Sequence, residues 1–179
     1  MSIIDEKMKE RHDLLVRMRD SLQEELIACD VGVPEQENAP EILNVILDVL
    51  SGGDRDEGAI GEFFFEPIQS EADEIQRFTA AITIMDQLPE EHLGEMYEAM
   101  SYINCQLPCG CYFIDRNKTF LAYRLTVPMP MELSGDALYD EMNACISNAV
   151  TAADLYMDLL IRLAEGRITV PEIIDCLSA

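Results

Sequence analysis

Cations are scarce in this sequence: 12 lysines and arginines stand against 35 aspartates and glutamates, for a formal net charge of −23. A nucleic-acid-binding surface needs a cation for its phosphate contacts, and an anionic membrane surface asks the same, so neither partner is expected. The few bases are also unevenly spread. Lys7, Lys9, Arg11, Arg17 and Arg19 crowd the first 19 residues, whereas Arg55 and Arg77 are the only ones from position 20 to 115. Such an acidic body stays soluble and steers basic partners towards it. Histidine is scarcer still. Only His12 and His92 are present, neither obviously near a cysteine, so a thiol–imidazole nucleophile is not expected and no catalytic residue is assigned. No apolar run approaches the roughly 18 residues of a membrane span. Met1 to Asp13 lacks the uninterrupted apolar stretch of an export signal, so the expected location is the cytoplasm. Repeats, low-complexity tracts and a central linker are missing too, and residues 1–179 read as a single domain.

What is present is enough apolar material for a substantial core, 49% of the chain. Its organising stretch runs from Leu107 to Pro130. Two runs rich in β-branched and aromatic residues, Cys109 to Ile114 and Thr119 to Val127, flank the polar tetrapeptide Asp115 to Lys118, which is a β-hairpin signal. If Ile114 faces Thr119, Tyr112 lies opposite Leu121 and Phe113 opposite Phe120. One face then holds Tyr112, Ile114, Leu121, Tyr123, Leu125 and Val127, and belongs to the core. The other holds Cys111, Phe113, Phe120, Ala122 and Arg124. That second face is too apolar for free solvent and needs a helix, another subunit or a bound partner over it.

The remaining elements follow in order. Met8, Leu15, Met18, Leu22 and Leu26 recur at helical spacing from Asp5 to Cys29, with Gly32 as a stop, so residues 1–32 read as an N-terminal helix. Val33 to Pro40 is a polar connection. Glu41 to Leu50 is ambiguous by pattern and is read as a strand on its isoleucine and valine content. Ser51 to Gly58 is then a turn, whose Asp54, Asp56 and Glu57 lack the spacing of a calcium loop. Ile60 to Ile68 and Phe78 to Leu88 are two further strands, with Gln69 to Glu74 turning between them. Pro89 opens a helix with the apolar stripe Leu93, Met96, Tyr97, Met100 and Ile103. After the hairpin, Ser134 caps a long helix to about Gly166, with Leu138, Met142, Cys145, Ala149, Ala152, Tyr156, Leu159 and Leu163 on one side. Residues 170–178 form a short last helix.

Six cysteines, Cys29, Cys105, Cys109, Cys111, Cys145 and Cys176, lie in apolar patterns and are expected to be reduced and mostly buried. Cys105, Cys109, Cys111 and Cys145 could look like a zinc site, but their spacing matches no known knuckle, so no metal or cofactor is expected. Met129 and Met131, in an extended Pro-Met-Pro-Met segment, suit a surface that accepts varied partners.

Helix, three strands, helix, two strands, helix is the order of the type III secretion chaperone-like fold. Within it the chain resembles the YbjN-like proteins of bacteria. The residues that carry the resemblance are the helix Glu90 to Asn104, the segment Gln106 to Phe113 entering the hairpin, and Tyr123 to Pro130 leaving it, within roughly residues 40–165. The resemblance implies a small α+β protein, often dimeric, that binds other proteins and has no catalytic residues. The expected fold is therefore α-β-β-β-α-β-β-α: an antiparallel five-stranded sheet with Glu90–Asn104 and Ser134–Glu165 packed on one face, comprising a helix in 1–32, an α/β core in 40–166 and a short C-terminal helix. The expected function is a non-catalytic protein-binding module, chaperone-like or a regulatory adaptor, with a homodimer covering the second sheet face. Phe113, Phe120, Ala122, Met129 and Met131 are its candidate binding residues. A cysteine-based metal or redox protein is the alternative.

Overall fold

The computed structural model describes residues 2–32, 39–50, 58–117 and 119–178. Most of the connection from Val33, most of the acidic turn weighed for calcium, and Lys118 of the hairpin tip lie outside the described residues. In chain order the elements are α1 (Ile3–Glu24), β1 (Cys29–Gly32), β2 (Ile42–Leu47), β3 (Ala59–Phe65), β4 (Ile75–Asp86), α2 (Leu93–Ile103), β5 (Cys111–Ile114), β6 (Phe120–Pro130), α3 (Gly135–Asp154), α4 (Met157–Ala164) and α5 (Val170–Leu177). The class is α+β, as expected, but the sheet has six strands in the order β1-β2-β3-β4-β6-β5. The extra strand comes from the end of the expected N-terminal helix. That helix stops at Glu24, and Leu26 adopts a left-handed φ of 65°. The chain thereby turns back, and Cys29–Gly32 pairs antiparallel with β2, Cys29 opposite Val45 and Gly32 opposite Ile42.

The chain divides into two compact units, the first comprising Met1–Leu47, Ile60–Ala80 and Thr126–Ser147, the second Asp48–Ala59, Ala81–Leu125 and Asn148–Ala179. In the first, α1 begins with a reciprocal cap: the Asp5 amide donates to Ser2 Oγ at 3.1 Å and the Ser2 amide to Asp5 Oδ2 at 2.9 Å. It buries Leu14, Leu15 and Met18 and contacts β1 and β2. Of the expected stripe, Met8 is 42% and Leu26 94% exposed, and Arg11 is buried instead. β2 alternates as a half-buried strand should, with Leu43 and Val45 inside and Ile46 outside. Arg17 joins α1 to the first turn of α3, 2.7 Å from Asp136 Oδ1 and 4.0 Å from the centre of the Tyr139 ring.

In the second unit the β5–β6 hairpin has the expected faces but a register two residues away from the expected one. Ile114 lies opposite Leu121, Phe113 opposite Ala122 and Tyr112 opposite Tyr123. The loop is longer than the polar tetrapeptide because the Asp115 carboxylate closes it, accepting from the amides of Asn117 at 2.8 Å and Phe120 at 3.0 Å, and from that of Thr119. α2 contacts α4 and α5 through a stripe of Leu93, Met96, Ala99, Met100 and Ile103. Tyr97, expected on that stripe, is 45% exposed, and Ala99 occupies the inner position.

The long last helix is broken. α3 ends at Asp154, Leu155 is half exposed, and α4 restarts at Met157, which shifts the buried phase from Tyr156 and Leu159 to Met157, Leu160 and Ile161. The freed carbonyls at the break are taken up by β5: the buried Tyr112 hydroxyl donates to Ala153 O and reaches Ala152 O at 3.5 Å. α5 starts as read, with Thr169 and Glu172 bonded at the cap. The cysteines depart from expectation. Only Cys145 is buried, Cys29 and Cys109 are half-buried, and Cys105, Cys111 and Cys176 are exposed, because they sit at strand ends, loops and outer helix faces rather than on the inner stripe.

Candidate binding site

Where β6 ends, Pro128 and Pro130 face outward and Met129 inward, so the side-chain alternation of the strand continues through the prolines. A proline has no amide to donate, and Met131 supplies the next ladder bond, its N–H to Glu74 O at 2.9 Å. The two segments form the walls of an open cleft of about 850 Å³ in the first unit, lined by Asp73, Glu74, Ile75 and Lys7 on one side and residues 128–132 on the other. Ile75 is 46% exposed there. Glu74 and Glu132 are exposed, whereas Asp73 is spent on its own turn, accepting from the Gln69 and Ser70 amides at 2.9 and 3.1 Å. Lys7 is held back by Glu10 at 2.9 Å and Leu133 O at 3.4 Å.

Beneath this cleft a buried amide fixes the chain. Gln76, 2% exposed, donates through Nε2 to Pro130 O at 3.1 Å and Leu133 O at 3.2 Å. Its Oε1 accepts from Arg11 Nε at 3.4 Å, and Arg11 NH1 donates to Glu66 O at 3.0 Å. Arg11 also lies 4.8 Å from the Phe65 ring centre. Burial pulls the pKa of Arg11 down to about 10, against the opposing pull of Glu10. Glu10 itself is pushed up by burial. The Lys7 ammonium and the Gly135 amide outweigh that and hold it below the ordinary carboxylate value. Neither Arg11 nor Gln76 is among the residues singled out from the sequence. Arg11 lies three positions after Met8 and four before Leu15, so a cation placed on the apolar stripe is the signal that marks it.

The five expected binding residues fall in two units. Met129 and Met131 line the cleft of the first unit, but Met129 is 2% exposed and presents little surface, while Met131 is half-buried. Phe113, Phe120 and Ala122 belong to the second unit. There Phe113 and Phe120 are half-buried and meet edge to face at 6.1 Å, and Ala122 is 1% exposed. At the outer side of β5, the Asn104 side chain accepts from the Tyr112 amide at 2.8 Å and donates to the Tyr112 carbonyl at 3.0 Å.

Cys105 donates to Ser101 O at 3.2 Å, and Cys109 Sγ is 3.7 Å from the Tyr123 hydroxyl, which bonds Cys109 O at 2.6 Å. Burial and then the bond to Cys109 push the Tyr123 hydroxyl above its ordinary pKa. Among the described residues no group of three or more His, Cys, Asp or Glu side chains converges as metal ligands would, so the cysteines weighed for zinc do not form a tetrahedral set. His12 meets Glu41 at 2.9 Å and His92 meets Glu95 at 3.1 Å. No single described helix is long and apolar enough to cross a membrane.

No family model matches the chain, and no curated protein does. Among solved structures it is similar to YbjN from E. coli at 12% identity and a TM-score of 0.45, over 85% of this chain and 93% of that one. It is also similar to an uncharacterized protein from Methanothermobacter thermautotrophicus at 14% identity and a TM-score of 0.42, over 86% and 98% of the two chains.

Proposed function

We propose that the chain is a non-catalytic protein-binding module that takes an extended segment of a partner, apolar and basic in character, into the cleft beside Pro128–Met131. The observation that carries this reading is the pairing of apolar surface, the exposed Ile75 and half-buried Met131, with the exposed Glu74 and Glu132 in one open groove. Thioethers adapt to varied side chains, and prolines give a wall with no amide donors of its own. Lys7, the one cation among the described residues lining the groove, is internally paired, in a protein that carries −23 overall. That net charge favours basic segments and speeds their encounter. Self-association belongs to the same reading: a two-fold pairing of the Phe113–Phe120 surface would let one patch cover itself.

The test is an amide NMR titration of the full chain with a decapeptide of alternating lysine and leucine. Saturable shifts at Ile75, Met131 and Glu132 are expected, weakened at least fivefold in the double variant Glu74→Lys, Glu132→Lys. Shifts elsewhere only, or an affinity indifferent to the two charge reversals, would refute the assignment of the cleft.

A further inference from the structure

Arg11 is 4% exposed, and among the described residues the partners that touch its guanidinium are neutral: the Glu66 carbonyl, the Gln76 amide oxygen and the Phe65 ring. Among the described residues no carboxylate forms an ion pair with it; Glu10, the nearest acid felt by it, is bound to Lys7 and to the Gly135 amide. A permanent cation kept out of water without a counter-charge is costly, and the cost falls when an anion arrives. Arg11 lines a pocket of about 220 Å³ in the first unit, walled by Ile4, Met8, Leu15, Phe65 and Ile68. Among the described residues its NH2 donors have no hydrogen-bond partner, and Arg11 is one of the residues that line this pocket.

We propose that this pocket binds a small monocarboxylic acid as its anion, the carboxylate on Arg11 and a short aliphatic or aromatic tail against the apolar walls. The planar guanidinium fork matches a carboxylate, and one cation with no further charged donor suits one negative charge rather than the two of a phosphate. The volume lies below the roughly 300–1,000 Å³ of sites for drug-sized ligands, which limits the tail. Glu41, also on the wall and held by His12 at 2.9 Å, sets a negative charge against any second carboxylate and so disfavours diacids.

Calorimetric titration of the full chain with hexanoate, acetate, 1-hexanol and adipate separates these contributions. Hexanoate is expected to bind one to one, and each of the other three at least tenfold more weakly. Met8→Trp fills the pocket from its exposed rim and is expected to lower hexanoate affinity at least tenfold with an unchanged far-UV circular dichroism spectrum. Arg11→Met is expected to do the same. If Arg11→Met does not fold, Met8→Trp and the ligand series still decide. Absence of saturable hexanoate binding, equal affinity for 1-hexanol, or wild-type affinity in a folded Met8→Trp variant would each overturn the proposal.

Discussion

Tyr112→Phe isolates one hydroxyl. The ring of Tyr112 stays in its edge-to-face contact with Tyr123, at 5.4 Å between centres, and its 2% exposure means that no solvent replaces the lost group. What disappears is the donor to Ala153 O, with its weaker branch at 3.5 Å to Ala152 O, at the point where the last long helix breaks. A buried carbonyl deprived of its donor costs about 1–3 kcal/mol, and nothing else in the substitution compensates. With a urea slope of about 2 kcal/mol per molar, the unfolding midpoint should fall by roughly 0.5–1.5 M at neutral pH. Far-UV circular dichroism is the readout. The hydroxyl carries a second signature. Burial first of all pushes the Tyr112 pKa above its ordinary value, so the folded state holds this proton more tightly than the unfolded chain. Its contribution is present in full below the unfolded value of about 10 and is lost as pH rises beyond it. The gap between wild type and Tyr112→Phe should therefore narrow above about pH 10. A neutral-pH difference below about 0.5 kcal/mol, or a gap that widens in alkali, would refute the role given to this hydroxyl.

Gly110→Ala should cost about 2 kcal/mol or more in a thermal melt, because Gly110 has a φ of 63° and an added Cβ would run into the Tyr123 hydroxyl and the Arg124 carbonyl. Gln76→Leu leaves Pro130 O and Leu133 O without their donor and Arg11 Nε without its acceptor, so urea unfolding should show a loss of about 2–3 kcal/mol. Glu10, held below its ordinary pKa when folded, stabilises above the unfolded value, and that stabilisation is lost as pH falls through the folded one. Glu10→Gln should thus be less stable than wild type at pH 7 and converge with it in acid, read from melts across pH 7 to 3. For the proposed dimer, light scattering should give twice the monomer mass for wild type and the monomer mass for Phe120→Asp; a monomeric wild type would dismiss it.

The hairpin faces were legible because alternation is local, whereas its register depended on Asp115, whose carboxylate reaches three amides across the tip and lengthens the loop. The same alternation carries Leu121, Tyr123, Leu125 and Met129 to the inner side, so the burial of Met129 is readable from parity. The sixth strand was hidden because Leu26 continues the helical spacing while its backbone turns left-handed, a choice made by the pairing of Cys29–Gly32 with β2 rather than by propensity. Nor could periodicity reveal the break after Asp154, since the hydroxyl that receives the loose carbonyls comes from a residue 41 positions away. Arg11 was visible on its apolar stripe. What it faces, a largely apolar pocket, is a matter of tertiary contacts.

Asn104 gives the outer strand an end stop. β5 is the last strand of the sheet, and an outermost strand with bare amide and carbonyl groups is a template on which a further chain can crystallise, then another. By spending both arms of its side-chain amide on Tyr112, Asn104 imitates one residue of an incoming strand and occupies that place for good. At that position the β5 edge is closed from within, by a residue borrowed from the end of α2.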